Sequence, residues 1–455
     1  MLINFLTSIT MIIKLRLLFI FLWFPILCFT QGSYVINNKK GIDKINFEII
    51  NNVIIIPVEV NGVKLSFLLD TGVSKPIIFN FLKSSDSLEI LNAEKIYLKG
   101  LGNNGEIEAL KSSGNTFKIG DAVNNNQDFY VIYDSSINFA PKLGVAIHGI
   151  IGYDLLKDFV VDINYSKKQL KLTALDGYKY KSCSRCESFD LEFYNNKPYV
   201  NIAVDIGSKT IPVKLLIDSG SSDALWLFEN DSLGISIKDN YFDDFLGYGL
   251  SGSVHGKRSK INALKLNSYT LYNPLVAFPD KSYTSVLREI KGRRGSVGGE
   301  ILKRFNITLD YSKQRMVLKR NFNFNKEFSY NKSGIEVENE GVRLITEYDK
   351  NIISKNEFSM DGDIINVQAV YVNTGKYVAK KAYTVSSVRA NSPAARVGIR
   401  KGDIITKING HDTLKYSLQE LIFHFYGKEG KKITMELERY GIKFIAIFRL
   451  ESLIK

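Results

Sequence analysis

Two aspartates stand in two copies of one short stretch. Residues 66–79 read SFLLDTGVSKPIIF and residues 214–228 read KLLIDSGSSDALWLF. In both copies three apolar residues lead into Asp, then Thr or Ser, Gly, one variable position and Ser, and a second apolar run follows. The aspartates are Asp70 and Asp218. A lone Asp-Thr-Gly is usually a turn closed by an Asx hydrogen bond; its duplication with the same apolar flanks points to two carboxylates facing each other across a pseudo-twofold axis. Carboxylates about 3 Å apart cannot both ionise, so one keeps a proton and the other does not. Such a pair holds a base for water and an acid for a substrate carbonyl at once. It needs no metal, cofactor or covalent intermediate.

The elements that must position the pair are duplicated too. HGIIGYDLLKDFVVDINYSKKQLKL, residues 148–172, matches RGSVGGEILKRFNITLDYSKQRMVL, residues 294–318, without a gap once Gly149 is set on Gly295. Gly152 falls on Gly298, Phe159 on Phe305, and Tyr165-Ser166-Lys167 on Tyr311-Ser312-Lys313. Both copies predict a glycine-containing loop, a helical turn, a strand, a polar turn and a strand. A third pair is Gly100, Gly102 and Gly105 against Gly247, Gly249 and Gly252, each spelling G-x-G-x-x-G. No βαβ pattern surrounds either copy, which argues against a dinucleotide loop and for glycine-rich hairpin tips that flex over a cleft. Tyr248, within the second tip, is either a substrate contact or ordinary hairpin packing. Repeats in register define two copies of one fold, residues 40–178 and 187–322.

Within the first copy, Val53–Val60, the turn Asn61-Gly62 and Lys64–Leu69 predict a hairpin, which sets Asp70 just past a buried strand. After a polar linker at 321–335 the character changes. Ala382–Val388 reads as a strand, Ser392-Pro393 starts a short helix, and Ile404–Ile408 is a strand before Asn409-Gly410. Ser417 and Glu420 form a capping box for a helix carrying Leu418, and two strands close the chain.

The 455 residues, 45% hydrophobic and 24% charged, describe a globular chain rather than a disordered one. The net charge of +13 is spread as scattered Lys with no basic block interleaved with aromatics, which disfavours nucleic acid as a partner and leaves contact with an anionic envelope surface open. Lys14 and Arg16 precede the apolar run Leu17–Phe29, a length that suits a signal peptide over residues 1–31 and falls short of a spanning helix. Export to the periplasm, the cell envelope or the medium follows. Ile26 and Leu27 are bulky where lipid attachment at Cys28 would want small residues. Cys183 and Cys186 then remain, as a local disulfide or two thiols in the connector.

The D-T-G-V-S and D-S-G-S-S pair, with its glycine hairpins and the elements Ile150-Ile151-Gly152 and Ser296-Val297-Gly298, resembles aspartic peptidases of the pepsin and retropepsin type. SPAARVGIRKGDIITKING, within 380–450, resembles a bacterial protease-type PDZ domain. The resemblance implies a mainly β chain: a two-lobed aspartic-protease-like β-barrel pair plus a C-terminal PDZ-like α+β domain over residues 333–455. It further implies that Asp70 and Asp218 are catalytic and that the Thr71 and Ser219 hydroxyls bond across the axis. Gly72 and Gly220 would let backbone N–H groups approach the carboxylates, and the hairpins at Gly100, Gly102, Gly105, Gly247, Tyr248, Gly249 and Gly252 would close over an extended polypeptide substrate. A peptide C-terminus would add beside Tyr383, Thr384 and Val385, with Leu418 lining the groove. The function so implied is exported aspartic endopeptidase; the alternative is an envelope peptide-binding or scaffold protein that keeps a degenerate protease fold.

Overall fold

The structure, a computed structural model, describes residues 32–79, 88–100, 106–133, 138–237, 239–249, 252–288, 290, 292–352, 359–360, 363–364 and 371–454. The leader at 1–31, Cys28 included, and two of the hairpin glycines, Gly102 and Gly105, lie outside the described residues. Ser33–Lys455 form one compact unit, and the chain is mainly β.

Both lobes repeat one strand crossing. Strand Val63–Leu69 runs into Asp70 and pairs in parallel with Gly149–Ile151, with Leu69 opposite Ile151. Gly149–Ile151 is in turn antiparallel to Ile77–Phe79. In the second lobe Thr210–Ile217 runs into Asp218 and pairs in parallel with Arg293–Val297, which is antiparallel to Leu225–Leu227. Strands covered on both faces carry continuous apolar runs, which is why Phe67-Leu68-Leu69 and Leu215-Leu216-Ile217 show no polar alternation. The segments expected as glycine-containing loops at 149–151 and 294–297 are therefore short strands. Their glycines answer to close packing. A Cβ on Gly149 would lie 2.5 Å from a Phe67 ring carbon, and one on Gly295 would run into the Trp226 carbonyl.

The lobes join through a shared sheet. Phe159–Asn164 of the first lobe pairs antiparallel with Phe305–Asp310 of the second, Val160 opposite Asp310, and the Thr308 hydroxyl donates to Asp162 at 2.6 Å across that seam. One hydrophobic core runs through both lobes, from Phe67 and Leu155 to Leu215 and Leu302. Asn-Gly and Asn-Asn turns enter the left-handed region that hairpin tips require: Asn61 has φ 47°, and Asn51, Asn52, Asn195 and Asn196 all have positive φ. Cys183 and Cys186 form a disulfide at the connector.

The C-terminal part has a core of its own, built on Ile335, Val385, Ile405, Leu421 and Phe425. Its sheet runs in the order Ile335–Glu338, Tyr383–Val388, Ile404–Ile408, Lys432–Arg439, Ile442–Arg449. Helix Leu418–Phe423 starts at the expected capping box: the Ser417 N–H donates to Glu420 Oε2 at 2.8 Å, and the Glu420 N–H returns to Ser417 Oγ at 3.3 Å. An insertion at 342–381 pairs two eleven-residue strands in antiparallel.

The linker from Asn321 is held down by one buried cation. Arg304 is 1% exposed. Its guanidinium donates to the carbonyls of Asn323 at 3.4 Å, Phe324 at 3.2 Å and Lys326, and pairs with the Glu300 carboxylate at 3.0 Å. The ring of Phe328 caps it at 3.7 Å. Removing such a donor leaves several carbonyls without partners, each costing about 1–3 kcal/mol. Arg304→Met is expected to lower unfolding stability by about 2–4 kcal/mol in denaturant titrations and to open the 321–328 segment to limited proteolysis. A shift within about 0.5 kcal/mol, the scale of neutral surface changes, would contradict the clamp.

Candidate active site

Asp70 and Asp218 stand at the start of two turns that mirror each other. The Asp70 N–H donates to Ile151 O at 2.8 Å and the Asp218 N–H to Val297 O at 2.9 Å, so each aspartate is tied to the strand that runs parallel to its own. Val73 N–H returns to Asp70 O and Ser221 N–H to Asp218 O, each at 3.3 Å. A Cβ on Gly152 would collide with Asp70 O, and one on Gly298 with Asp223 O. These glycines let Ile150-Ile151-Gly152 and Ser296-Val297-Gly298 press against the back of each turn, although the second lobe has Ser in place of one apolar residue.

The two turns are locked together by four hydrogen bonds. Thr71 N–H donates to Ser219 Oγ and Ser219 N–H donates to Thr71 Oγ1, both at 3.0 Å. The Thr71 hydroxyl donates onward to Ile217 O at 2.5 Å and the Ser219 hydroxyl to Leu69 O at 2.8 Å. Both side chains are at most 2% exposed, so each bond replaces one that water cannot supply. The carboxylates converge above this lock. The Asp70 carboxylate packs on Gly220, where a Cβ would lie 2.5 Å from its Oδ2. A Cβ on Gly72 would lie 3.1 Å from Asp70 Oδ1 and 3.6 Å from Asp218 Oδ1. At Gly220 only glycine leaves that room. The Gly72 N–H donates to Asp70 Oδ1 at 2.7 Å.

Burial raises the pKa of Asp70, while the Gly72 and Gly220 N–H groups and the Lys197 ammonium pull it back. Asp218 is raised to about 7, by burial first and the Asp70 charge second, against the opposing pull of Arg293 and Lys197. Two carboxylates in one enclosed site titrate as a pair, and the pair holds one proton into the neutral range.

Both aspartates line a cavity of about 1600 Å³. Gly100, at the described end of the first hairpin tip, and Gly247, Tyr248 and Gly249 of the second also line it. In the second hairpin a bulge lies between Phe245 and Gly247, and Gly249 pairs with Gly252; Gly247 and Gly252 have φ of 145° and 112°. Tyr248 is 43% exposed and packs on Phe245 at 4.7 Å. The Lys142 ammonium of the first lobe sits 3.0 Å from its ring centroid.

Sequence reasoning missed the charges behind this flap. Arg258, on the returning hairpin strand, pairs with Asp223 at 2.8 Å and with Asp244 at 2.6 Å. Asp223 belongs to the loop that follows Asp218, and it also accepts from the Trp226 indole at 2.6 Å. Arg389 of the C-terminal part reaches Asp244 at 3.7 Å. Glu336 sits beside this network with its pKa raised to about 7 by burial and by Asp244. Arg258 and Asp244 meet across the two strands of one hairpin, while Asp223 comes from a distant loop and Arg389 and Glu336 from the C-terminal part.

The C-terminal residues expected to hold a peptide are placed otherwise. Strand Tyr383–Val388 is bonded on both sides, to Ile335–Glu338 and to Ile404-Ile405. Val385 is 1% exposed and Leu418 2% exposed within the core. No ligand strand can add beside Tyr383, Thr384 and Val385, since that ladder is already filled. The outer strand of the sheet on this side is Ile335–Glu338, and it faces helix Leu418–Phe423. Glu336, Val337, Glu338, Gln419 and Phe423 line the same cavity as the aspartates. One end of this groove is met by the first lobe: Asn339 N–H donates to Pro141 O at 2.6 Å, the Gln419 amide reaches Leu143 O at 3.5 Å, and Gly144 abuts Leu418.

Residues 56–155 match the family model described as aspartyl protease, and residues 384–439 match that of the PDZ domain. Among curated proteins, the chain is 30% identical over 82 residues to a probable CtpA-like serine protease of Staphylococcus saprophyticus, a match covering 18% of this chain and 16% of that protein. It is 36% identical over 75 residues to a protein of the same description from Staphylococcus aureus, covering 16% and 15%. The chain thus spans about one sixth of the length of the curated relatives it matches. Among solved structures, the aspartic proteinase of Irpex lacteus matches 63% of this chain and 99% of its own at 12% identity, with a TM-score of 0.40. The chain carries a retropepsin-like aspartyl protease region and a PDZ domain.

The raised carboxyl has a stability signature. A folded-state pKa above the unfolded value near 3.9 contributes stability that is fully present below pH 4 and is lost as pH rises through the folded value, about 7 for Asp218. Asp218→Asn is therefore expected to raise the melting temperature at pH 8 by at least about 2 °C and to leave it unchanged at pH 4. Scanning calorimetry from pH 4 to 8 measures the difference. A variant equally stabilised at both ends would show that the carboxyl is not strained by its ionisation.

Proposed function

We propose that this chain is an exported aspartic endopeptidase, which cuts polypeptides with a water activated between Asp70 and Asp218, and that its PDZ domain recruits or senses polypeptide segments. The observation that carries this reading is the reciprocal Thr71–Ser219 bonding, which fixes two carboxylates over facing glycines in one cavity. The apolar leader after Lys14 and Arg16 supports export.

In this mechanism the ionised member of the pair takes a proton from water as it attacks the scissile carbonyl carbon, and the protonated member donates to the carbonyl oxygen. The resulting diol collapses as a proton passes to the amide nitrogen, the C–N bond breaks, and the pair returns to one proton. The hairpin at Gly247–Gly252 closes over the extended substrate and excludes water, which strengthens the electrostatics inside. The cavity reaches the outer strand Ile335–Glu338, so a polypeptide in the cleft has a second surface within the same enclosure.

The test is digestion of an unfolded protein and a peptide library from pH 4 to 9. Asp70→Asn and Asp218→Asn are each expected to lower kcat/KM at least about a thousandfold, the scale of losing an essential acid or base. Wild-type kcat/KM is expected to fall above about pH 7, where the last proton of the pair leaves, by about tenfold per pH unit. Cleavage that survives both substitutions would overturn the assignment.

A further inference from the structure

The two lobes are copies in backbone and differ in charge at two matched places beside the pair. Each lobe has an Asn-Asn turn with both residues at positive φ, and the residue after it is Val53 in the first lobe and Lys197 in the second. The registers agree. The pairing with the aspartate-bearing strand ends at Ile55 opposite Leu68 in the first lobe and at Tyr199 opposite Leu216 in the second, so Val53 and Lys197 each lie two residues beyond the last pair, at the end of the sheet from which Asp70 and Asp218 emerge. Lys197 lies close enough to both aspartates to feel the charge of each. The second place is Ile147, fully buried, against Arg293, 5% exposed; the pairing follows from setting Gly149 on Gly295.

Lys197 and Arg293 both line the cavity with the aspartates. Among the described residues neither closes an ion pair with a carboxylate at 4.0 Å or less. Arg293 donates to Gly295 O at 3.3 Å and lies against the rings of Tyr199 and Phe228. Lys197 feels Asp70, Arg293 and Asp218, and burial lowers its pKa. With one proton on the aspartates, these four groups sum to −1 from the pair and +2 from the two cations, a net +1 beside the scissile position. Uncompensated charge is costly there, and two apolar residues at the same places in the first lobe show that the fold does not require it.

We propose that Lys197, backed by Arg293, is the specificity-determining cation of the cleft and takes a carboxylate of the substrate on the second-lobe side of the scissile bond. This rests on the reading of Asp70 and Asp218 as the hydrolytic pair. The carboxylate comes from an Asp or Glu side chain of an extended segment or from the α-carboxylate of a chain end. Either brings the local charge to zero without touching the pair's proton.

The experiment is a mass-spectrometric cleavage profile of a peptide library at pH 6, followed by kinetics on matched peptides. The profile is expected to show Asp and Glu enriched at one position on one side of the cut. For peptides differing by Glu or Gln at that position, wild-type kcat/KM should favour Glu by about ten- to a hundredfold, the worth of one charge-assisted hydrogen bond. Lys197→Met should bring the ratio to about one to two, and Lys197→Arg should keep most of it, which guards against a variant that merely folds badly. Free-acid and amidated versions of a short peptide separate the two sources of the carboxylate. A pH profile that shifts equally for the Glu and Gln peptides in Lys197→Met, with their ratio kept, would mean that Lys197 only tunes the pair, and would overturn the subsite. Cleavage without any acidic preference would overturn it while leaving the hydrolytic reading intact. A library left uncut by the wild-type chain would overturn both.

Discussion

Between Thr71 and Ser219 the two lobes exchange backbone N–H donors for side-chain oxygens, and each hydroxyl then hands its own proton to the carbonyl that precedes the other lobe's aspartate. Every donor and acceptor in this ring of four bonds is used. The groups are buried, so a slip of either turn would leave polar atoms that water cannot reach, at about 1–3 kcal/mol each. The parallel strands behind, the glycines at 152 and 298 and the shared interlobe sheet all serve to bring two turns to this one contact. The convergence of the carboxylates follows from it, and so does their shifted titration.

Symmetry stops at the level of charge. The strand crossing behind each aspartate repeats, yet among the described residues the second lobe places Lys197 and Arg293 beside its aspartate and a four-membered ion network behind its hairpin. In that network Arg258 holds Asp223 of the aspartate's loop and Asp244 of the hairpin, and Arg389 reaches in from the PDZ domain. The first lobe has the Lys75–Asp154 pair instead, at 3.2 Å. Ions of this burial are worth little as simple stability and more as geometry. They tie the base of the second hairpin to the loop beside Asp218 and to a separate sheet.

Much of this was legible in the sequence because it is carried by local pattern. The aspartates, the glycines beside them, the hairpins and the strand order in register all show as duplicated types at matched spacings. The PDZ helix could be placed to the residue by its capping box. Lys197 and Arg293 stand out in the sequence only as departures from the repeat, and it is the fold that brings both to the cavity of the aspartates. The Arg258 network left little signal, since the hairpin pair Arg258–Asp244 is completed by Asp223 from a distant loop and by Arg389 from the C-terminal part. The peptide edge of the PDZ domain was misjudged for a related reason. Alternation marks Tyr383–Val388 as a strand, but periodicity does not say how many neighbours a strand has, and Ile335–Glu338 lies across a long insertion from it.

The segment Ala140–Gly144 gives the PDZ groove a property of its own. It contacts Asn339 and Gln419 at one end of the groove while its Lys142 rests on the ring of Tyr248 at the hairpin tip. A tethered segment acts at an effective concentration of about millimolar. Any ligand that fills the whole groove must displace it, and its apparent affinity for the intact chain is weaker than for the groove alone. A ligand that displaced this segment would also take Lys142 off the Tyr248 ring, so one short segment stands between the groove and the hairpin tip.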